Sequence, residues 1–504
     1  MTNILFDGLF AAHADATTPF LHLPGEEVRT HADVLRAAAR YANAIAALGA
    51  QPGDRVALQV EKSPEALEVY AACVMGGFVF LPLNTAYTAA EISYFVADCA
   101  PHLLICDPAR RETLATALSG TDIRLETLDA SGQGSLSDLA AAAPETFTPA
   151  ERGTDDLAAL LYTSGTTGRS KGAMLSHGNL LSNAETLTRL WRFTGEDRLL
   201  HALPIFHSHG LFVATNVILK AGAAIEFLPG FDRDAVIEAL PRCTAMMGVP
   251  TFYTRLLGDP RFTRDLASHM RLFISGSAPL LAETHDAFSE RTGHRILERY
   301  GLTETSMNTS NPYDGERRPG TVGFPLPGVD LKITDPESGA TLEQGAIGMI
   351  EVRGPNVFKG YWNMPEKTAE ELRADGFFIT GDLGRIDEAG YVHIVGRQKD
   401  LIISGGYNIY PKEIETLLDG LPGVLESAVV GVPNADFGES VLALIVAKDG
   451  CQPDVDLLTH SVAANLARFK HPRRIVVVDE LPRNTMGKVQ KNILRDTYKT
   501  ALDA

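Results

Sequence analysis

The order of segments predicts an α/β chain with a separate block at its C-terminal end. Three observations carry this. Strand, helix and strand fall within about 30 residues near the start, the unit of a parallel sheet covered by helices. The same alternation then recurs as far as Ser275. From about residue 320 turns and short strands take over, and two β-rich runs follow Asp400.

In order, Leu35, Ala38, Ala42, Ile45 and Leu48 are spaced at three and four, the apolar stripe of a helix, with Gly49 as its stop. Pro52-Gly53-Asp54 turns the chain into a strand over Arg55 to Val60. Ser63 and Pro64 open a helix towards Met75, and Gly76-Gly77 leads into a strand over Val79 to Leu83. Further strands are expected at Leu103 to Asp107, Ala223 to Leu228, Ala245 to Val249 and Leu272 to Ser275. The β-rich stretch holds Val329 to Thr334, Gly348 to Val352 and Gly390 to Val395; the last block holds Ala428 to Val432 and Val441 to Ala447. Gly396-Arg397-Gln398-Lys399 is polar and Gly405-Gly406 follows closely, so the boundary is expected at Asp400, dividing 1–399 from 400–504.

A chain of 504 residues suggests about three compact units. The net charge of −18 argues against a nucleic-acid surface, which needs a basic face. Anionic substrates must then be held by local positive groups rather than by the overall field. The 5 cysteines are scattered and free of CxxC spacing, as expected of buried thiols in a reducing, cytoplasmic setting. Met1 to Ala16 lacks a basic signal-peptide start, no apolar run approaches the roughly 20 residues of a membrane span, and the last residues match no peroxisomal tripeptide.

Tyr162-Thr163-Ser164-Gly165-Thr166-Thr167-Gly168-Arg169-Ser170-Lys171-Gly172 follows the apolar run Leu157 to Leu161. Glycines let backbone N–H groups approach an anion, hydroxyls add donors and the lysine adds a charge, which together make a polyphosphate cradle. A kinase-type P-loop requires Gly-Lys-Ser/Thr in direct succession; here Lys171 precedes Gly172.

With Leu203-Pro204-Ile205-Phe206-His207, Tyr300-Gly301-Leu302-Thr303-Glu304-Thr305, Thr380-Gly381-Asp382, Gly396 to Asp400, Gly405 to Ile409 and Asn484 to Lys488, this segment resembles the core motifs of the acyl-adenylate-forming superfamily, in order and across about residues 28 to 495. The resemblance implies a large N-terminal domain of two mixed sheets sandwiching helices, a β-rich subdomain and a small mobile C-terminal α+β domain. It implies activation of an acid by ATP to acyl-AMP and pyrophosphate, then thioester formation with coenzyme A, with Mg²⁺ as the metal. Thr163, Ser164, Gly165, Thr166, Thr167 and Lys171 would hold the phosphates, and Glu304 with Thr166 the Mg²⁺. Thr303 would meet the α-phosphate, Gly276, Ser277, Ala278, Tyr300 and Gly301 the adenine side, and Asp382 and Arg397 the ribose. Lys488 would enter for adenylation and withdraw by rotation about Asp400, after which Gly405 and Gly406 line the thiol tunnel. A protein lysine acetyltransferase acting on Lys488 is implied as a partner, since acylation removes its charge. Loading of a carrier-protein thiol, oxidation of the acyl-AMP by oxygen and a non-catalytic nucleotide-binding scaffold are the alternatives. The absence of a Gly-x-Asp-Ser carrier segment after Lys488 favours free coenzyme A.

The acid side departs from many relatives. Arg299 stands where a small residue is usual, Arg255 follows the pocket segment Val249 to Thr254, and His207, Ser208 and His209 form a polar wall. A buried guanidinium requires an anion and matches a carboxylate bidentately. The substrate is therefore expected to be a small dicarboxylate held by Arg299 or Arg255 with Ser277 and His207, on the pattern of malonate activation. Methylmalonate is a further candidate, and oxalate, aryl or medium-chain acids are the alternatives.

Overall fold

The structure, a computed structural model, describes residues 2–163, 170–404, 407–434, 437–485 and 487–502. The cradle residues Ser164, Gly165, Thr166 and Thr167 and the glycines Gly405 and Gly406 fall outside the described residues.

Local signals set the first elements. Thr30 and Asp33 form a reciprocal cap on the helix His31–Ala47. Ser63 caps Pro64–Gly76, with proline in the first turn. Every residue of that second helix from Ala66 to Gly76 is buried, as befits a helix covered on all sides by helices and a sheet rather than one with a wet face. Tyr70 shows how the helix is covered: its ring lies 5.4 Å from Phe80 of a strand and 5.9 Å from Phe212 of a helical turn, and its hydroxyl donates to Asn216 at 3.0 Å.

Among the described residues, one sheet of the N-terminal portion has 6 strands and includes Arg55–Gln59, Val79–Pro82, Leu157–Thr163 and Lys171–Ser176. The other has 9 and includes Arg198–His201, Ala245–Gly248, Leu272–Ser275 and Leu297–Leu302. Both mix parallel and antiparallel pairs. An antiparallel sheet of 4 strands follows, Asp330–Thr334, Gly348–Arg353, Phe378–Ile386 and Val392–Arg397. The last unit has a sheet of 5 strands with the helices Pro411–Asp419, Val455–Asn465 and Lys491–Thr497. In its central strands Val429, Val441, Ala443 and Ile445 face one core and Ala428, Val430, Leu442 and Leu444 the other. Both faces are covered, which is why the runs are continuously apolar.

The chain is thus an α/β protein with a large N-terminal portion of mixed sheets and helices and a small C-terminal domain. The strand anticipated at Ala428 to Val432 extends over Val424–Asn434, because ladder pairing continues past the buried run: Glu426 and Ser427 interrupt the apolar signal on one side, and Pro433 and Asn434 end it on the other. His209–Thr215 forms a fully buried π-helix that no spacing in the sequence announces.

Candidate active site

A cavity of about 800 Å³ opens where strand ends of the N-terminal portion meet a loop of the C-terminal domain. Lys171, His207, Ser277, Arg299, Gly301, Thr303, Glu304, Arg397 and Lys488 all line it.

On the nucleotide side, Thr163 ends its strand at the cavity and Lys171 begins the antiparallel partner directly opposite. Lys171 Nζ donates to both carboxylate oxygens of Glu371, at 3.1 and 3.2 Å, and lies 4.1 Å from the centre of the Tyr361 ring. The Tyr361 hydroxyl lies 2.6 Å from Glu371 and 3.0 Å from Glu304. Glu371 and Tyr361 carry no motif; only their position on and before the short helix Pro365–Glu371 brings them here. Burial raises the pKa of Glu304. A divalent cation would favour its charged form, so the residue fits Mg²⁺. Among the described residues no group of three or more His, Cys, Asp or Glu forms a metal cage. Mg²⁺ would be held by Glu304 together with phosphate and water oxygens; its expected companion Thr166 lies outside the described residues.

Asp382 and Arg397 face each other across antiparallel strands and pair at 2.7 Å, and the Tyr300 hydroxyl donates to Asp382 at 2.7 Å. Gly301 is expected to be glycine for the sake of the nucleotide; the structure adds a nearer reason. A Cβ there would collide with the Ser306 carbonyl of its own hairpin.

On the acid side Arg299 is 4% exposed, and its Nε and Nη2 have no hydrogen-bond partner among the described residues. It packs on Gly276, where a Cβ would strike the guanidinium. Ser277, at φ 70°, holds its Oγ 3.1 Å from His209 Nδ1, and the His209 N–H donates to His207 Nδ1 at 3.1 Å. His209 Nε2 and Ser208 Oγ are likewise buried and unpartnered among the described residues. Burial, then Arg299 and Lys488, pulls the His207 pKa to about 4, so it is neutral. Burial lowers Arg299 to about 9, which leaves it charged at neutral pH.

Arg255 is a correction. It is exposed, on the outer side of the helix Pro250–Leu257, 5.8 Å from the Phe231 ring centre. Phe252, Tyr253 and Leu256 form the inward face of that helix, and helical phase turns Arg255 away from the cavity. Ala278 is half-buried behind Ser277.

Lys488 enters from the C-terminal domain, its backbone N–H donating to Asn484 Oδ1 at 2.9 Å. The loop touches the N-terminal portion at Asn84, whose amide lies 3.4 Å from Thr485 Oγ1, and Lys448 pairs with Glu283 at 2.6 Å. Asp400 pairs with Arg495 of the last helix at 3.0 Å. Burial, with Arg397 next, lowers the Lys488 pKa to about 8. Because kcat/KM reports the free enzyme, that parameter for acid-dependent ATP–pyrophosphate exchange should fall as pH rises through about 8. A profile flat through that range would mean that Lys488 does not act as an ammonium.

Sequence profiles described as "AMP-binding enzyme" and "AMP-binding enzyme C-terminal domain" match residues 10–362 and 413–488. Feruloyl-CoA synthase of an Amycolatopsis species is 38% identical over 480 residues, 94% of this chain and 95% of that protein. Malonate–CoA ligase of Arabidopsis thaliana is 36% identical over 484 residues, 90% of this chain and 79% of that protein. ATP-bound MatB from Rhodopseudomonas palustris is 58% identical, superposes with a TM-score of 0.97, and is matched over 99% of this chain and 100% of that one. Its apo form gives 0.87. The chain belongs to the AMP-binding enzyme family and is an ATP-dependent, AMP-forming acyl-CoA ligase.

Proposed function

We propose that the acid is a small dicarboxylate, malonate foremost and methylmalonate next, activated at one carboxylate while Arg299 holds the other. The observation that carries this is the buried Arg299 guanidinium with two nitrogens unpartnered among the described residues. A buried charge in that state is costly until an anion meets it. The neutral His207 and the His209–Ser277 pair offer polar contacts without adding charge. The arginine also fills space that a small residue would leave open to a long or aromatic acid. Names of relatives do not decide the matter, since the feruloyl enzyme is as similar as the malonate one.

In the adenylation step an anionic carboxylate attacks an anionic α-phosphate, and positive groups must hold both. Lys488 bridges the attacking carboxylate and the phosphate, Thr303 donates to the phosphate, and Lys171 exchanges Glu371 for the departing phosphates. Bound Mg²⁺ would supply charge neutralisation on the phosphates beside Glu304. Tyr300, Asp382 and Arg397 hold the nucleoside. The N-terminal domain of 1–399 and the C-terminal domain of 400–504 then pivot at Asp400, withdrawing Lys488 and bringing Gly405-Gly406 towards a coenzyme A thiol. The similarity to the ATP-bound rather than the apo MatB supports reading this arrangement as the one used for adenylation. Acylation of Lys488 by a lysine acetyltransferase would switch the first step off.

Thioester formation with malonate, methylmalonate, succinate, oxalate, acetate, coumarate and octanoate tests the reading. Malonate should give the highest kcat/KM; a preference for octanoate or coumarate would exclude the dicarboxylate reading.

A further inference from the structure

Lys62 and His201 lie outside every recognised motif, yet both are buried and linked to the turn that carries His209. Lys62 lies in the bend between the strand Arg55–Gln59 and the helix Pro64–Gly76, and its side chain reaches from the sheet of 6 strands to the sheet of 9. There its Nζ lies 2.7 Å from the carbonyls of His201 and Leu228 and 2.9 Å from His201 Nδ1. On the far side of the ring, His201 Nε2 lies 2.8 Å from the carbonyl of Gly210, inside the π-helix His209–Thr215. The Thr215 hydroxyl donates to the same carbonyl at 2.9 Å.

Hydrogen-bond bookkeeping fixes the protons. A carbonyl only accepts, so Nε2 must carry hydrogen to face Gly210 at 2.8 Å. A neutral ring then leaves Nδ1 bare, and it must accept from Lys62. With two carbonyls also accepting, Lys62 needs three N–H groups and is an ammonium. Burial pulls both groups below their ordinary values, and Lys62 beside the ring lowers His201 further; the amine starts the more basic by about four pH units, so the single positive charge of the pair is assigned to it.

We propose that Lys62 and His201 are positioning residues for the acid substrate. The Lys62 ammonium holds His201 in its Nε2–H form, and that N–H pins the Gly210 carbonyl, so that the adjacent His209 is presented to Ser277 and Arg299. A π-turn is poor in intrinsic stability and recurs at functional sites, which makes an external clamp on its carbonyl meaningful. The effect on substrate rests on the reading that the acid meets Arg299 beside His209; the proton assignment does not.

The test uses full-length enzyme labelled with ¹⁵N-histidine, with the His201 resonances assigned from the His201→Gln variant. The resting enzyme should show His201 protonated at Nε2 and accepting at Nδ1, and Lys62→Met should abolish the Nδ1 hydrogen bond. In kinetics, Lys62→Met should raise the KM for the best acid by about 10- to 100-fold and change that for ATP by less than about twofold, the pattern of a displaced substrate contact. His201→Gln, which keeps an N–H at the Nε2 position, should stay near the parent enzyme, whereas His201→Leu should follow Lys62→Met. These two variants decide the kinetic question if Lys62→Met does not fold. His201 protonated at Nδ1, equal losses for ATP and acid, or equal behaviour of Gln and Leu at 201 would each overturn the proposal. Because the tautomer is read without substrate and the kinetics with whichever acid reacts best, a failure of the malonate reading leaves the test intact.

Discussion

Lys488→Ala should lower malonate-dependent ATP–pyrophosphate exchange by about 10²–10³-fold, the usual loss for one preorganised transition-state donor. Thioester formation from supplied malonyl-AMP should remain largely intact, because the role proposed for the side chain is confined to the first half-reaction. The reason is geometric and electrostatic. Lys488 reaches the cavity from a loop of the C-terminal domain and sits beside Arg397, Asp382, Lys399 and Asp400. Its ammonium is carried by the C-terminal domain, whereas Lys171 belongs to the N-terminal portion and is tied to Glu371. Equal losses in both half-reactions would contradict a role confined to adenylation.

Arg299→Gln should cost about 2–5 kcal/mol in kcat/KM for malonate, the range for breaking a buried, hydrogen-bonded charge pair. For propionate the same change should cost much less, since that acid brings no second carboxylate. Relief of an unpaired buried charge should also make the variant no less stable to heat in the absence of substrate. An equal loss with both acids would mean that Arg299 supports the fold or the nucleotide rather than the acid.

Much of this site is legible in the chain because the chemistry sits in contiguous motifs. Tyr300 to Thr305 and Thr380 to Asp382 occupy antiparallel strands and their turns, so neighbours in sequence remain neighbours at the cavity. Arg299 stands out as a departure inside such a motif. Arg255 misleads because proximity in sequence says nothing about helical phase, although the apolar face Phe252, Tyr253 and Leu256 contains the needed signal. Glu371 and Tyr361 are invisible for another reason: their partners Lys171 and Glu304 are remote in sequence, and only the packing of a short helix joins them. Lys62 and His201 are hidden likewise, one in the bend before the helix Pro64–Gly76 and the other at the end of a strand of the sheet of 9. The alternation of strands and helices is enough for the α/β class, while strand ends follow backbone pairing rather than composition, as in Val424–Asn434.

The most direct measurement is a crystal structure of the enzyme with malonate and a non-hydrolysable ATP analogue. One malonate carboxylate should lie at the α-phosphate and the other should meet the Arg299 guanidinium through two hydrogen bonds of about 2.7–2.9 Å. A distal carboxylate turned away from Arg299, with that guanidinium still unpartnered, would contradict the account.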